Sequence, residues 1–559
     1  MNHSPQPTPA FSAARPNHAE TPSTKVYLVG GGIASMAAAA FLIRDGDMRG
    51  CDITIIEESD RMGGSLDGAG SAAEGYVLRG GRMLESKYLC TFALFDSIPT
   101  LHGQSTVTQE ILAWNQTMKT SSKSRLAHDG ERVTNPPFGL TETQILTIER
   151  LVIEPELMLG RTTIADQFDP TFFDTNFWTM WCTTFAFQPW HSAVEFKRYL
   201  ARFVHMISGF GRLQGIMRTL YNQYDSMVRP LQKWLDERGV NFAPNTCVTD
   251  LKMVPRDGHN VVERICCEED GVSANIVLDA GDIVMVTLGS MTEGSRLGTM
   301  ETAPELGSRR DGGAWTLWET IAKDRPEFGR PAAFDSHIDQ SKWTSFTITL
   351  HDPAFFRHVR DFTGNVPGEG GLITFTDSNW LASIVLPHQP HFIGQPEGVD
   401  VCWGYGLKVD APGNFVRKPM SACNGREIMT EIMGHLGITD EAPAILDQAI
   451  CIPCMMPFIT SQFMPRGAGD RPEVIPAGTA NMALIGQYCE LPDDVVFTVE
   501  YSIRSAQTAV YALLGLDAKP PAVYKGAFDA RVLAKAFMAL HRGGHDARAS
   551  HSMIGDTHA

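Results

Sequence analysis

The sequence predicts an α/β fold: a Rossmann-like core able to bind two dinucleotide halves, an inserted mixed α+β domain, and a helical C-terminal segment. Three observations predict it. Near the N-terminus a short apolar strand runs into a glycine turn and an Ala-rich helix. A second apolar strand follows and ends on an acid. Strand-and-turn pieces of the same kind return twice later in the 559-residue chain.

The first unit reads KVYLVGGGIASMAAAAFLIRDG. Val26 to Val29 suits a buried parallel strand, Gly30 and Gly32 form the turn, and Ala34 to Ile43 is a strong helix former. That order brings backbone N–H groups and the positive helix end up to a pyrophosphate. Ser35 stands where a third glycine is usual and is small enough for close helix–strand packing. Strand Ile53–Ile56 then ends at Glu57, placed to accept hydrogen bonds from a ribose. The following Arg61-Met62-Gly63-Gly64 is similar to the RxGG segment of flavoproteins of the glutathione-reductase type, which implies FAD as the dinucleotide.

The core is expected to be discontinuous. Residues 25–100 give its first part, 223–289 the second and 451–516 the third. In the second part, a helical segment around Leu231–Arg238 precedes Val240–Phe242, and Ile283–Thr287 runs into a turn at Gly289. In the third, Ala483–Gly486 is a strand and turn, and Val499 to Leu514 a helix whose start faces the cofactor. Residues 101–222 and 290–450 are then the two parts of the substrate domain. Their dense aromatic stretch, Phe172, Phe173, Phe177, Trp178, Trp181, Phe185, Phe187 and Trp190, suits either a core or an apolar channel. Residues 517–559 form the C-terminal segment, where Val532, Leu533, Phe537 and Leu540 share a helical face. That face docks on the protein body or lies on a membrane surface.

Composition excludes several classes. A net charge of −17 argues against nucleic acid as the main partner. Residues 1–24 are rich in Pro, Ser, Thr, Asn and His, lack the apolar stretch of a secretory signal, and read as a disordered tail. No apolar run is long enough to span a bilayer. The eleven cysteines are scattered, which fits a reduced cytoplasm. Cys451 and Cys454 form a CxxC with no second ligand pair nearby, so they read as buried thiols and no metal site is expected.

The segments GGGIASMAAAAFLIRDG, ITIIEESDRMGGSLDG, RGGRM, NQYDSMVRPLQKWL, ITSQFMPRGAGDRP and GQYCELPDDVVFTVEYSIRSAQTAVY together resemble the oleate hydratases, also known as myosin-cross-reactive antigens. The resemblance runs from Lys25 to about Leu516. It implies addition of water across the cis-9 double bond of oleic acid to give 10-hydroxystearic acid, with FAD bound but no net redox change.

It also implies site residues. The acid that protonates the alkene falls at Tyr199, in FQPWHSAVEFKRYLARFVH; the residues alone would make Tyr199 a core position beside Phe196, Phe203 and Val204. The family's water-activating carboxylate follows the second arginine of RGGR, where this chain has Met83. Glu85 either substitutes, if the loop rearranges, or is a solvated surface glutamate. In that loop, Arg79, Gly80 and Gly81 are expected near the flavin, with the glycines giving mobility. Gln223, in YNQYDS, and His391, in PHQPHF, match groups assigned to the fatty acid carboxylate, although PHQPHF also reads as a loop with surface histidines. Two further polar positions of that group are Val385 and Pro387 here.

Two rivals stand beside this reading: a flavin oxidoreductase of the amine oxidase or desaturase type, and a non-catalytic lipid-binding flavoprotein. A monomer is expected over a homodimer.

Overall fold

A computed structural model describes residues 24–134, 136–308, 312–369 and 371–541. The expected N-terminal tail, apart from residue 24, and the end of the C-terminal segment lie outside these residues.

The chain builds a five-stranded parallel sheet at its centre. Strand β1 (Val26–Val29) pairs on one side with β2 (Ile53–Ile56) and on the other with Ile283–Thr287. Asn241–Ala243 and Met482–Ile485 close the two edges. Runs such as VYLV and ITII lack polar alternation because helices or other layers cover both faces of such strands. Helix α1 (Ile33–Arg44) follows the glycine turn, and its run Ala37 to Ala40 is wholly buried. Small side chains let it pack closely against the helix Val499–Leu513 and the sheet. Ser35 is buried with its Oγ 3.3 Å from the Thr287 hydroxyl, which ties α1 to the neighbouring strand.

The second large element is an eight-stranded sheet that draws on residues from Leu126 to Met456. Its middle is the antiparallel set Ala449–Met456, Trp343–Leu350, Asp400–Gly406 and Ala382–Val385. Cys451 and Cys454 lie buried as free thiols on the first of these strands. No group of three or more His, Cys, Asp or Glu among the described residues could hold a metal.

The short strand Gly75–Leu78 pairs with Gly68–Ser71 and packs on the larger sheet. Its Tyr76 and Leu78 amides donate to Thr349 Oγ1 at 2.8 Å and Thr347 Oγ1 at 2.9 Å. The RGGRM segment that follows lies against Trp403 of the larger sheet and is tied to the 65–67 turn by Arg79–Asp67 and by Arg82 to the Ser65 carbonyl.

One element of 223–289 goes beyond the expected helical segment and two strands. Thr246–Arg256, His259–Glu269 and Val272–Val277 form an antiparallel three-stranded sheet. Its turns are Asp257-Gly258 and Asp270-Gly271, all four residues with positive φ. Asp-Gly between alternating strands is the local signal for such hairpins.

The aromatic stretch is both core and channel. Phe172, Phe177 and Trp181 are completely buried, while Phe185 reaches a cavity wall. The C-terminal helix Ala530–Leu540 packs on 204–212 through its buried side, with Leu540 inside. Leu533 and Phe537 face outward, so the expected apolar face is split between docking and solvent. No described helix is long and apolar enough to cross a membrane.

Candidate functional site

Three adjoining cavities make up the site. The first is a groove at the carboxyl ends of the parallel strands, lined by Gly30, Gly31, Gly32, Glu57, Arg61, Gly64, Arg79, Gly289 and Gly486 among others. Helix α1 starts here with Gly32 as its N-cap and no side chain capping its first N–H groups. A Cβ on Gly32 would find its nearest neighbour, the Gly64 Cα, 3.9 Å away, so a side chain there would project into the groove. Uncapped amides at a helix start, with nothing in front of them, fit a pyrophosphate. Gly30 takes φ +94°, which only glycine adopts freely.

Glu57 stands at the end of β2. Its carboxylate accepts from the Gly31 amide and, at 2.9 and 2.7 Å, from the Ser59 amide and hydroxyl. Arg61 donates to the Gly68 carbonyl at 2.8 Å, and Arg79 pairs with Asp67 at 3.1 Å.

Not every expected groove residue lines it. Ser35 acts in helix–strand packing. Gly63 (φ +125°) sits against Tyr224 and Val228 and donates its amide to the Gly31 carbonyl, holding the RxGG turn to the glycine turn. Gly80 and Gly81 line the other two cavities instead. Thr246, Cys247, Val248 and Gln487 line the groove and carried no glycine signal by which the sequence would reveal them.

The second cavity adjoins the groove at Ile33, Ser65, Met291, Gln487 and Ser502, which line both. Its wall is largely apolar, with Phe185, Phe203, Trp343, Trp403 and Phe497, and it contains Tyr199, Met83 and Glu85. Tyr199 lies on the helix Ala193–Phe203 and packs among Phe185, Phe187, Phe203 and Phe463, with ring centroids 4.9–5.6 Å away. Its hydroxyl donates to the Val496 carbonyl at 2.6 Å. Burial, with the nearby Tyr88, Glu195 and Asp494, pushes the phenol well above its ordinary pKa. The group therefore keeps its proton.

Glu85 is not on the surface. It is 2 % exposed, and its Oε1 accepts from Arg202 at 2.8 Å. Its Oε2 accepts from the Lys87 amide at 2.7 Å and lies 3.4 Å from His205 Nε2. Burial raises the carboxyl, but His205, Arg202 and the Lys87 amide outweigh it and hold the group below the usual range. The sequence reading of a solvated side chain fails because Leu84–Glu85 pairs with Ile216–Met217, a strand too short to show a pattern.

The third cavity shares Arg82, Arg218, Gln223, Val385 and Trp403 with the second and adds Trp114, Pro387, His388 and His391. Gln223 stands at the start of a π-helical turn, Tyr224–Val228, that continues into Arg229–Asp236. Such turns re-aim side chains and often mark functional sites. Asn222 joins the two polar segments: its amide N donates to the His391 carbonyl at 2.9 Å and its Nδ2 at 3.0 Å. Asp225 adds a bond from the Ile393 amide at 2.9 Å.

His391 is thus part of the cavity wall, not a surface histidine. Burial, helped by Arg218 and His388, lowers it to about 3, so it is neutral. Both polar side-chain atoms of Gln223, and Nδ1 of His391, are buried without a partner among the described residues.

The fold and site define a protein with a flavin-binding fold, whose groove at the strand ends shares a wall with an apolar cavity that in turn adjoins a polar one. The chain belongs to the MCRA family, whose model matches residues 23–511. Oleate hydratase of Streptococcus pyogenes serotype M49 (strain NZ131) is 40% identical over 527 residues, covering 92% of this chain and 89% of that one. Linoleate hydratase of Lactiplantibacillus plantarum is 32% identical over 539 residues, covering 88% and 94%. Among solved structures, cyclohexylamine oxidase from Brevibacterium oxydans IH-35A matches with a TM-score of 0.50 over 88% of this chain and 99% of that one. At 12% identity this likeness is one of fold alone.

Proposed function

We propose that the protein is a fatty acid hydratase that adds water across the cis-9 double bond of oleic acid and related free acids. The observation that carries the reading is a row of three cavities that share walls. A proton-retaining phenol, Tyr199, sits in the apolar middle one, with the dinucleotide groove against one side and a polar pocket against the other. Its two relatives named as hydratases of oleate and linoleate support the same substrate class.

FAD is the dinucleotide assigned to the groove. The α1 amides and Gly32 would hold its pyrophosphate, and Glu57 its ribose. When bound, it supplies shape and polarity beside the apolar cavity without a net redox change.

The chemistry balances on this chain's groups. The alkene's π pair takes the Tyr199 proton at C9, a water oxygen bonds to C10, and the water proton returns to the phenolate. An isolated alkene is a very weak base, so a dry, aligned donor matters most. Tyr199 must first leave the Val496 carbonyl. No carboxylate stands at Met83, and Glu85 is held by Arg202 and His205, so no dedicated base directs the water. Gln487 and Ser502, neutral groups at the junction with the groove, are the polar wall available to it.

The sources of the sheet strands support the proposed division into three core pieces and two insertions, except that Ala449–Met456 belongs to the larger sheet, which moves the boundary proposed at 450/451 beyond residue 456. The exposed Phe528 and Phe537 support a peripheral lipid contact; the cytoplasmic location and the monomer rest on the sequence reading alone.

Oleate incubated with the flavin-loaded protein in heavy water, followed by mass spectrometry, tests the function. Hydration adds one water with deuterium on carbon. Loss of hydrogens would make the protein an oxidoreductase, and an unchanged acid would make it a binder.

A further inference from the structure

Arg218 follows the strand Ile216–Met217 and delivers its side chain to the wall shared by the second and third cavities. Its backbone is fixed from both sides by Asn115, which accepts from the Arg218 amide at 3.0 Å and donates to its carbonyl at 2.7 Å. The guanidinium has no carboxylate within ion-pair distance among the described residues, and its Nε is buried without a partner. Burial alone pulls it down to about 10.

A desolvated cation without an acid is costly, and native structures rarely keep one without a partner that binds. Arg82, the other guanidinium shared by the two cavities, differs: it donates to the Ser65 carbonyl at 3.1 Å and feels the charge of Asp67.

Arg218 has two neighbours with open hydrogen-bonding capacity, Gln223 and His391, and both are neutral. Val385 and Pro387 add no donors to the same wall. With Arg82 bonded to the Ser65 carbonyl, Arg218 and two neutral polar groups match a planar anion with several lone pairs, which is a carboxylate.

We propose that Arg218 is the charged anchor for the carboxylate of the fatty acid and sets the preference for free acids over esters and alcohols. The inference rests on the reading of these cavities as a fatty acid site. Gln223 and His391 then orient a head group whose charge Arg218 meets.

The test measures equilibrium binding and turnover of oleate, methyl oleate and oleyl alcohol by flavin-loaded wild type, Arg218→Gln and Arg218→Lys. Flavin content and melting temperature control for folding. Wild type should bind oleate more tightly than the ester or the alcohol. Arg218→Gln should raise the KM for oleate about 10- to 100-fold, the weight of a charge-assisted contact. It should leave kcat within a few-fold and the ester unaffected, while Arg218→Lys restores part of the acid preference. A wild type that binds methyl oleate as tightly as oleate overturns the anchor, and so does an Arg218→Gln variant that keeps the wild-type preference. If no alkene is hydrated yet oleate binding still depends on Arg218, the hydratase reading fails and the anchor stands.

Discussion

Glu85 and Arg202 form an ion pair of 2.8 Å in which both side chains are almost fully buried, at 2 % and 1 % exposure. Glu85 lines the cavity that holds Tyr199, two residues after Met83, where the resemblance implies a water-activating acid. The geometry of the pair favours a structural brace over a proton acceptor.

Glu85→Gln should therefore act on stability more than on chemistry. Removing one partner of a buried ion pair costs about 3–5 kcal/mol. Flavin-normalised kcat should change less than about tenfold, well short of the factor for a lost general base. Because the folded carboxyl sits below its ordinary range, its stabilisation is present above about pH 4.3 and is lost as pH falls through the lower folded value. The gap in melting temperature between wild type and variant should narrow on that descent. A variant that folds, binds oleate and is dead would make Glu85 the base. Met83→Ala should cost no more than a few-fold.

Tyr199→Phe removes only the phenolic hydroxyl. Turnover should fall on the order of 100- to 10,000-fold, the range for a positioned general acid. The Val496 carbonyl loses its donor, so a drop of about 1–3 kcal/mol in stability should accompany it. Flavin content should be unchanged. Retention of more than about half the activity would place the acid elsewhere.

Gly32→Leu should fold and fail to hold flavin. Gly32 has φ −76° and ψ 179°, which any residue adopts, and its Cβ direction is open toward the groove. The side chain would occupy the approach to the α1 amides without straining the backbone. Flavin absorbance after desalting reads the result, and full occupancy would refute the groove assignment.

His191 gives a pH prediction independent of catalysis. Burial lowers it to about 3, and its Nδ1 accepts the Gln188 amide at 2.9 Å. A histidine held neutral stabilises the fold above its unfolded pKa of about 6.5, and that contribution is lost progressively as pH falls toward the folded value. Melting temperature should decline from about pH 6.5 downward, with a shallower slope in His191→Gln. Equal slopes would mean that His191 takes a proton freely.

The dinucleotide half was legible because its signals are local. VYLV, the glycine turn and the Ala-rich helix each specify their conformation within a few residues, and Gly30, Gly32 and Glu57 meet in one groove as their spacing implied. Gly63, Gly80 and Gly81 carried the same kind of signal but line or brace different places, because a glycine reports backbone freedom and not what approaches it. The Asp-Gly turns of the 246–277 hairpins are equally local signals.

By itself the sequence determined the parallel core, the dinucleotide groove and, through its resemblance, the chemistry expected at Tyr199. Only the tertiary structure decided that Glu85 is buried against Arg202, that Asn222 clamps His391 beside Gln223, and that Arg218 faces their cavity with no acid beside it among the described residues. Those partners are separated by 117 residues in the first case and 169 in the second. Charge pairing and burial depend on which distant segments share a desolvated space, and no periodicity along the chain encodes that.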